Sequence, residues 1–129
     1  TSPFRSVQDI DNGIETFLAN IKADMCISLT ESSRNPYFNM VRKDKDNFCK
    51  IICSNDNNFF RRQDAPNIFD ITTVAYIANP SYIINNTGIF DGNVVGYEVP
   101  KIRALDIDSI YDFKYAQFLI NEGLVDAWY

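Results

Sequence analysis

The stretch ITTVAYIA, residues 71–78, is the part of this sequence that best defines the fold. It is rich in β-branched and aromatic side chains, which fit well on a pleated sheet, so we predict a strand. A second apolar run, DMCISLT at residues 24–30, has no helical period and is predicted to be a buried strand. Residues 7–20 carry apolar side chains at helical spacing, preceded by the capping-box pattern of Ser6 and Asp9. A helix followed by a buried strand indicates an α/β layer structure.

Three further elements are predicted in the second half of the chain. The run NPSYIINN (79–86) is predicted to be a short helix that begins at Pro80. The run VVGYEVP (94–100) is predicted to be a strand that ends at Pro100, and RALDID (103–108) is interpreted as a last short strand. Alternation of strands with helices is again typical of an α/β fold.

The two longer predicted helices carry different sequence signals. The first contains Gly13, which weakens a helix by about 1 kcal/mol relative to alanine. The second, at residues 110–121, begins directly after Ser109. Ser109 and Asp112 repeat the capping-box pattern. Four of its residues are predicted to share its apolar face: Ile110, Phe113, Ala116 and Ile120.

Residues 31–65 differ in character from the rest of the chain. The runs YFNMV (37–41) and FCKII (48–52) flank the polar turn RKDKDN, which is the pattern of a hairpin. The segment offers no helix on which these apolar side chains could pack. Two interpretations remain open: the hairpin contacts another subunit, or it covers an edge of its own domain.

Composition limits the classes of protein to be considered. The 129 residues contain 46% hydrophobic and 22% charged side chains, a globular balance, and the formal net charge is −5. Excess negative charge argues against nonspecific binding to nucleic acid or to anionic membranes. No apolar run approaches the roughly 20 residues that span a bilayer, and no signal-peptide pattern is present. A cytoplasmic protein is expected.

The cysteine and histidine counts restrict the chemistry. Cys26, Cys49 and Cys53 lie in apolar sequence, so buried free thiols in a reducing compartment are expected, with a Cys49–Cys53 metal site as a lesser alternative. The chain contains no histidine, which excludes a Ser-His-Asp or Cys-His nucleophile within it. Acid–base or metal chemistry must therefore use carboxylates, lysine, arginine or tyrosine.

Two carboxylates, Asp106 and Asp108, are separated by the single residue Ile107. In an extended segment side chains alternate between faces, so the two carboxylates should project together while Ile107 points into the core. Their mutual repulsion favours a cation between them. The alternative is that Asp108 caps the last helix and Asp106 is solvated. A calcium loop at DIDSIYD would lack the glycine and the terminal glutamate such loops need.

Four stretches in order, TSPFR (1–5), RRQDAP (61–66), TTVAYIA (72–78) and ALDIDSIYDFKYAQF (104–118), resemble the second half of acylneuraminate cytidylyltransferases, the CMP-sialic acid synthetases. The resemblance implies a three-layer, Rossmann-like nucleotidyltransferase sandwich with a β-rich dimerisation excursion at about residues 31–60, and hence a homodimer. It also implies transfer of CMP from CTP to a 3-deoxy 2-keto acid sugar, with release of pyrophosphate and assistance from Mg²⁺.

The resemblance also implies roles for individual residues. Asp106 and Asp108 fall on the family's metal-binding, catalytic aspartates. Arg62 falls on an arginine that contacts the sugar acid, whose carboxylate suits bidentate pairing. Three more residues match positions that touch or line the sugar pocket, although packing or turn formation would also explain them: Thr1, Tyr76 and Phe90.

Departures from the family pattern are equally informative. Asp70 stands where a second pocket arginine is usual, Thr72-Thr73 replaces Asn-Gly, and Ile89 replaces a phenylalanine. A nonulosonic or ulosonic acid other than sialic acid is therefore expected.

The five glycines form no phosphate-binding loop, so residues 1–129 are interpreted as the C-terminal portion of a single cytidylyltransferase domain. The alternative is a non-catalytic fragment for dimerisation and sugar-acid binding that needs the missing half of the domain.

Overall fold

The computed structural model describes residues 1–53 and 65–125. The described part of the chain contains three helices and five strands, and it divides into two compact units, residues 31–70 and the remainder. None of these helices has the length and apolar character that crossing a bilayer would require. In chain order the elements are α1 (Val7–Ala19), β1 (Met25–Glu31), β2 (Val41–Lys43), β3 (Cys49–Ile51), β4 (Phe69–Ala78), α2 (Pro80–Asn85), β5 (Val94–Glu98) and α3 (Ile110–Asn121).

The larger unit is built on a mixed three-stranded sheet in the order β4-β1-β5. Strands β1 and β5 are parallel, with Met25 opposite Val94. Strands β1 and β4 run in opposite directions, since Asn79 N donates to Asp24 O at one end and Ser28 Oγ donates to Thr72 O further along. The predicted α/β class is therefore confirmed, together with the strands predicted at 24–30, 71–78 and 94–100.

Helix α1 approaches the sheet closely at Gly13. A Cβ atom at this position would lie 2.8 Å from Ile77 Cδ1 and 2.8 Å from Tyr97 Cε1, well inside contact distance. The glycine that weakens the helix as an isolated segment is thus required by the packing of α1 against the sheet. Local propensity and tertiary packing oppose each other here, and packing decides the residue.

Three apolar clusters are present among the described residues, and two of them hold the longer helices in place. One joins α1 to the sheet and the other joins α3 to the N-terminal segment and to residues 102–107. The buried members of the first are Cys26, Val74, Tyr97 and Val99. The second contains Phe4, Ala116 and Leu119, with Ile102, Leu105 and Ile107 packed against it. Ile107 therefore points into the core, as its position between two aspartates predicts.

Two predictions about the C-terminal region are wrong. Residues 103–108 do not form a strand: after Pro100 the chain makes a turn, in which Arg103 N and Ala104 N donate to Pro100 O, and then continues without a ladder partner. Of the four residues predicted to form the buried face of α3, only Ala116 is buried; Ile110 is 61% exposed, and the other buried residue is Leu119, which was not predicted. Contact with Phe4, more than 100 residues away in the sequence, determines the buried face of α3. The sequence of the helix alone does not indicate this contact.

The smaller unit contains the predicted hairpin. Strands β2 and β3 are antiparallel, with Arg42 opposite Lys50, and the turn between them is held by Asp44 Oδ1, which accepts from Asp46 N and Phe48 N. Cys49 is exposed, so its predicted burial is wrong; it lies on the short strand β3, whose other two residues are exposed or half-buried. Cys26 is buried as predicted.

Candidate functional site

Asp106 lies on the extended stretch between the turn after β5 and the start of α3. Its side chain is 29% exposed, and its two oxygens have different partners. Oδ2 accepts a hydrogen bond of 3.0 Å from Thr73 Oγ1 on β4. Oδ1 forms an ion pair with the amino group of Thr1, whose carbonyl accepts from Ile107 N at 3.0 Å. Strand β4 and the first residues of the chain therefore fix the position of this carboxylate.

The hydroxyl of Thr73 connects Asp106 to the protein interior. Because its single proton is donated to Asp106, Ser2 Oγ must be the donor in the 2.6 Å contact between Ser2 and Thr73. Ser2 is buried, with 4% of its surface exposed. The sequence marked Thr73 only as a departure from the family pattern. Its role as the partner of Asp106 is visible only once β4 and residue 106 are brought together.

Asp108 lies directly before the first residue of the α3 cap, and its side chain is exposed. Ser109 is the N-cap: its side chain accepts from Asp112 N, and Asp112 Oδ2 accepts from Ser109 N at 2.8 Å. The alternative interpretation, in which Asp108 caps α3 and Asp106 is only solvated, is therefore wrong. Within the described residues the Asp108 carboxylate has no hydrogen-bond or ion-pair partner, so it is free to bind a ligand.

The hydrogen bond from the N-terminal ammonium group lowers the pKa of Asp106 below its ordinary value; slight desolvation opposes this, and the Thr73 hydroxyl lowers the pKa further. Oδ2 of Asp106 is held by the Thr73 hydroxyl, and Oδ1 faces the first residue of the described chain. Carboxylate oxygens are the ligands that Mg²⁺ prefers, and it often takes only one or two from a protein. Asp106 and Asp108 thus have the donor chemistry to hold this ion. Among the described residues, no three or more acidic, cysteine or histidine side chains lie close enough together to hold a metal ion by themselves.

Three of the four predicted sugar-pocket residues lie in the described part of the chain. Tyr76 on β4 is 46% exposed and Phe90 is 66% exposed, whereas Thr1 lies at Asp106. Arg62 lies outside the described residues. A cavity of about 180 Å³ is present in the larger unit; it includes Ile89 but neither Tyr76 nor Phe90, and its lining residues are Met25, Tyr82, Ile83, Asn86, Thr87, Gly88 and Ile89.

The loop that carries Phe90 has a defined shape because Tyr82 on α2 binds its backbone. Tyr82 Oη lies 2.8 Å from Ile89 O, to which it can donate, and it accepts from Gly92 N at 3.0 Å. A Cβ at Gly92 would lie 2.6 Å from Asp24 Oδ2, so glycine is needed for this close approach. The exposed ring of Phe90 is therefore presented on an ordered loop, and it is available to a ligand.

A buried ion pair lies next to the carboxylate segment. Asp9 on α1 is 1% exposed and is bound by Arg103 through two hydrogen bonds, Nε to Oδ2 at 2.9 Å and Nη2 to Oδ1 at 2.8 Å. Burial acts to raise the pKa of Asp9, but the hydrogen bonds from Arg103 and Ser6 and the charge of Arg103 outweigh it, so the pKa is lowered. The sequence pattern indicates only the capping-box role of Asp9 and contains no sign of its pairing with Arg103.

Comparison with known proteins identifies the class to which this α/β chain with its carboxylate pair is related. No protein-family model matches the chain. It is 34% identical over 127 residues to the "Post-translational flagellin modification protein B" of Campylobacter coli, covering 98% of this chain and 52% of that protein. It is 36% identical over 95 residues to the "CMP-N,N'-diacetyllegionaminic acid synthase" of Campylobacter jejuni subsp. jejuni, covering 74% of this chain and 39% of that protein.

These matches confirm the predicted resemblance: the chain is similar to proteins of a CMP-sialic-acid-synthetase-like family. It spans about half the length, or less, of these curated relatives.

Proposed function

We propose that this chain is the C-terminal part of a cytidylyltransferase that transfers CMP from CTP to a nonulosonic acid and releases pyrophosphate. The observation that carries the proposal is the similarity to a CMP-N,N'-diacetyllegionaminic acid synthase. In this chain the Asp106 carboxylate, one of the two candidate metal ligands, is held in place by the Thr73 hydroxyl. An ordered carboxylate beside an exposed one is the arrangement that a metal-assisted transfer between phosphate oxygens requires of a protein.

Asp106 and Asp108 would hold Mg²⁺ in this proposal. The bound ion would neutralise charge on the phosphates of CTP and help orient the attacking hydroxyl of the sugar acid. The Thr73 hydroxyl binds Oδ2 of Asp106, so Oδ1 would be the oxygen that binds the ion. Asp108, exposed and without a described partner, would supply the second carboxylate.

The sugar acid would be bound by Arg62, Tyr76, Phe90 and Thr1, with Arg62 pairing its carboxylate through both guanidinium nitrogens. Asp70 on β4 is exposed, so a negative charge stands where the family has a positive one. Loss of that positive charge should weaken binding of sialic acid. The name of one relative suggests N,N'-diacetyllegionaminic acid as the first acid to test.

A second candidate is a non-catalytic fragment for dimerisation and sugar-acid binding. The specific observation in its favour is that the chain corresponds to about half of its relatives. Exposed Phe48 and Ile52 in the smaller unit would then serve a homodimer contact within residues 31–60. Light scattering at micromolar concentration should report a dimer, and a monomer would argue against this contact.

The deciding experiment supplies CTP, Mg²⁺ and either N,N'-diacetyllegionaminic acid or N-acetylneuraminic acid, and measures pyrophosphate release. The full-length protein should turn over the first acid faster than the second. The 129-residue chain alone should show no turnover, because it has no loop to hold the triphosphate in line for attack. Absence of turnover by the full-length protein with either acid and with related 2-keto acids would refute the proposed reaction.

A further inference from the structure

We infer that the ion pair between Arg103 and Asp9 positions the segment that carries Asp106 and Asp108, so that both of its members are positioning residues for cation binding. The inference rests on the proposed function, because it assumes that these two carboxylates hold a divalent cation. It adds a role for two residues that lie outside the proposed site and that the sequence pattern did not connect to it.

The geometry of the pair is that of a fixed two-point attachment. The two nitrogens of Arg103 bind the two oxygens of Asp9 at 2.9 and 2.8 Å, the planar fork arrangement that restricts both distance and direction. Asp9 is itself held within α1, since its Oδ2 also accepts from Ser6 N at 2.9 Å and its backbone N donates to Ser6 Oγ. The attachment point for Arg103 is therefore a buried and rigid one.

Arg103 transmits this restraint to Asp106 through the backbone of the two residues between them, Ala104 and Leu105. Its own N–H and that of Ala104 close a turn on Pro100 O, at 2.8 and 3.1 Å, so fixing the Arg103 side chain also fixes the turn. The chain that leaves this turn has no ladder partner before α3 begins. The direction in which it leaves determines where the two carboxylates lie.

Apolar packing alone would not provide the same restraint. Leu105 and Ile107 contact the cluster around Phe4 and thereby set how deeply the segment lies in the unit. Apolar contacts are non-directional, whereas a bidentate pair fixes an orientation. Replacing a buried ion pair with apolar residues often costs no stability, so a role in placing the segment is a sufficient reason for Arg103 and Asp9 to be ionic.

The test measures binding of Mn²⁺, used as a paramagnetic probe for a divalent cation, to the full-length protein. Electron paramagnetic resonance of free Mn²⁺ gives the dissociation constant, and broadening of the backbone amides of residues 106–109 locates the ion. The variants are Arg103→Lys, Arg103→Gln and the double variant Asp106→Asn with Asp108→Asn. Met25→Ala, in a separate apolar cluster, serves as a control that lowers stability without touching the segment.

We expect Arg103→Gln to weaken Mn²⁺ binding about tenfold, the low end of the range for residues that orient metal ligands. Arg103→Lys should fall between Gln and the unaltered chain, because lysine keeps the charge but loses the fork. Met25→Ala should lower the melting temperature and leave the dissociation constant unchanged. The two Arg103 variants should also shift the amide resonances of residues 105–108.

Three results would overturn the inference. They differ in whether the proposed metal site is refuted as well. If the double aspartate variant binds Mn²⁺ as the unaltered chain does, the proposed metal site fails and the inference fails with it. If that variant loses binding but Arg103→Lys and Arg103→Gln do not, only the positioning role is refuted. If Met25→Ala weakens Mn²⁺ binding as much as Arg103→Gln does, the effect is one of general stability. Arg103→Lys keeps the experiment decisive should Arg103→Gln not fold.

Discussion

Helices α1 and α3 begin with the same local device in two different surroundings. Each starts at a serine whose side chain accepts from the backbone N–H of an aspartate three residues later, and each aspartate in turn accepts from the serine N–H. Asp9 in α1 is buried and bound by Arg103, whereas Asp112 in α3 is only half-buried and has partners only at the start of its own helix. The same capping motif can therefore be a local feature or part of a long-range connection, depending on what packs against it.

The two caps support opposite ends of the segment that carries Asp106 and Asp108. Arg103, bound to the first cap, precedes Asp106, and Ser109 of the second cap follows Asp108 directly. The segment between them has no ladder partner, so its position depends on these two ends and on the Thr73 hydroxyl. The comparison between the caps is therefore also a comparison between the two supports of the proposed site.

The largest effect is expected when the supported carboxylates themselves are changed. In the full-length protein, Asp106→Asn and Asp108→Asn should each lower kcat/KM by about two orders of magnitude or more, as the loss of a metal ligand typically does. The melting temperature should change little, because neither residue caps a helix. Asp11→Asn, on the exposed side of α1, is the control for loss of a carboxylate. Full activity in both variants would remove Asp106 and Asp108 from the site.

The next effect separates the two caps. Asp9→Ala should destabilise the chain by about 3 kcal/mol, the low end for breaking a buried ion pair, because Arg103 is 35% exposed and can be rehydrated. Asp112→Ala should cost much less, since its only partners belong to an exposed cap. Urea unfolding followed by circular dichroism would measure both. Equal losses would mean that the Asp9–Arg103 ion pair contributes no more to the free energy of unfolding than the cap hydrogen bonds of Asp112 do.

The pH dependence of stability gives a further comparison. The folded pKa of Asp9 lies below its ordinary value of 3.8, so this residue stabilises the chain above that pH, and the contribution is lost as the pH falls through the folded pKa. Urea unfolding at stepwise lower pH should therefore show stability decreasing with acidification. In the Asp9→Asn variant, the free energy of unfolding should decrease less steeply below pH 3.8, the ordinary pKa of an aspartate. An unchanged slope would show that Asp9 does not contribute to acid sensitivity.

The smallest effect concerns the serines. Ser6→Ala and Ser109→Ala should each cost about 1 kcal/mol, the usual loss for an N-cap side chain. The two losses should be similar, because each change removes the bond that the serine accepts from the aspartate N–H, and the additional bond from Ser109 Oγ to Asp112 Oδ2 is exposed to solvent. Ser6→Thr and Ser109→Thr retain the hydroxyl and should restore most of the stability. A much larger loss for Ser6 would indicate that its cap is coupled to the Asp9–Arg103 pair.

Local sequence determined much of this protein. Both capping boxes, the helices at 7–20 and 110–121, the strand at 71–78 and the hairpin could be predicted because each depends on interactions between residues a few positions apart. The family resemblance and the carboxylate pair could also be recognised in the sequence, because they consist of short motifs in a fixed order.

Tertiary structure alone decided which surfaces those elements bury and which polar groups they bring together. The buried face of α3 depends on Phe4, the need for glycine at position 13 depends on Tyr97, and the environment of Asp106 depends on Thr73. The turn at residues 100–104, where a strand was predicted to begin, is tied to α1 through Arg103 and Asp9. Each of these contacts joins residues more than 30 positions apart, and the pattern of either partner alone contains no information about the other.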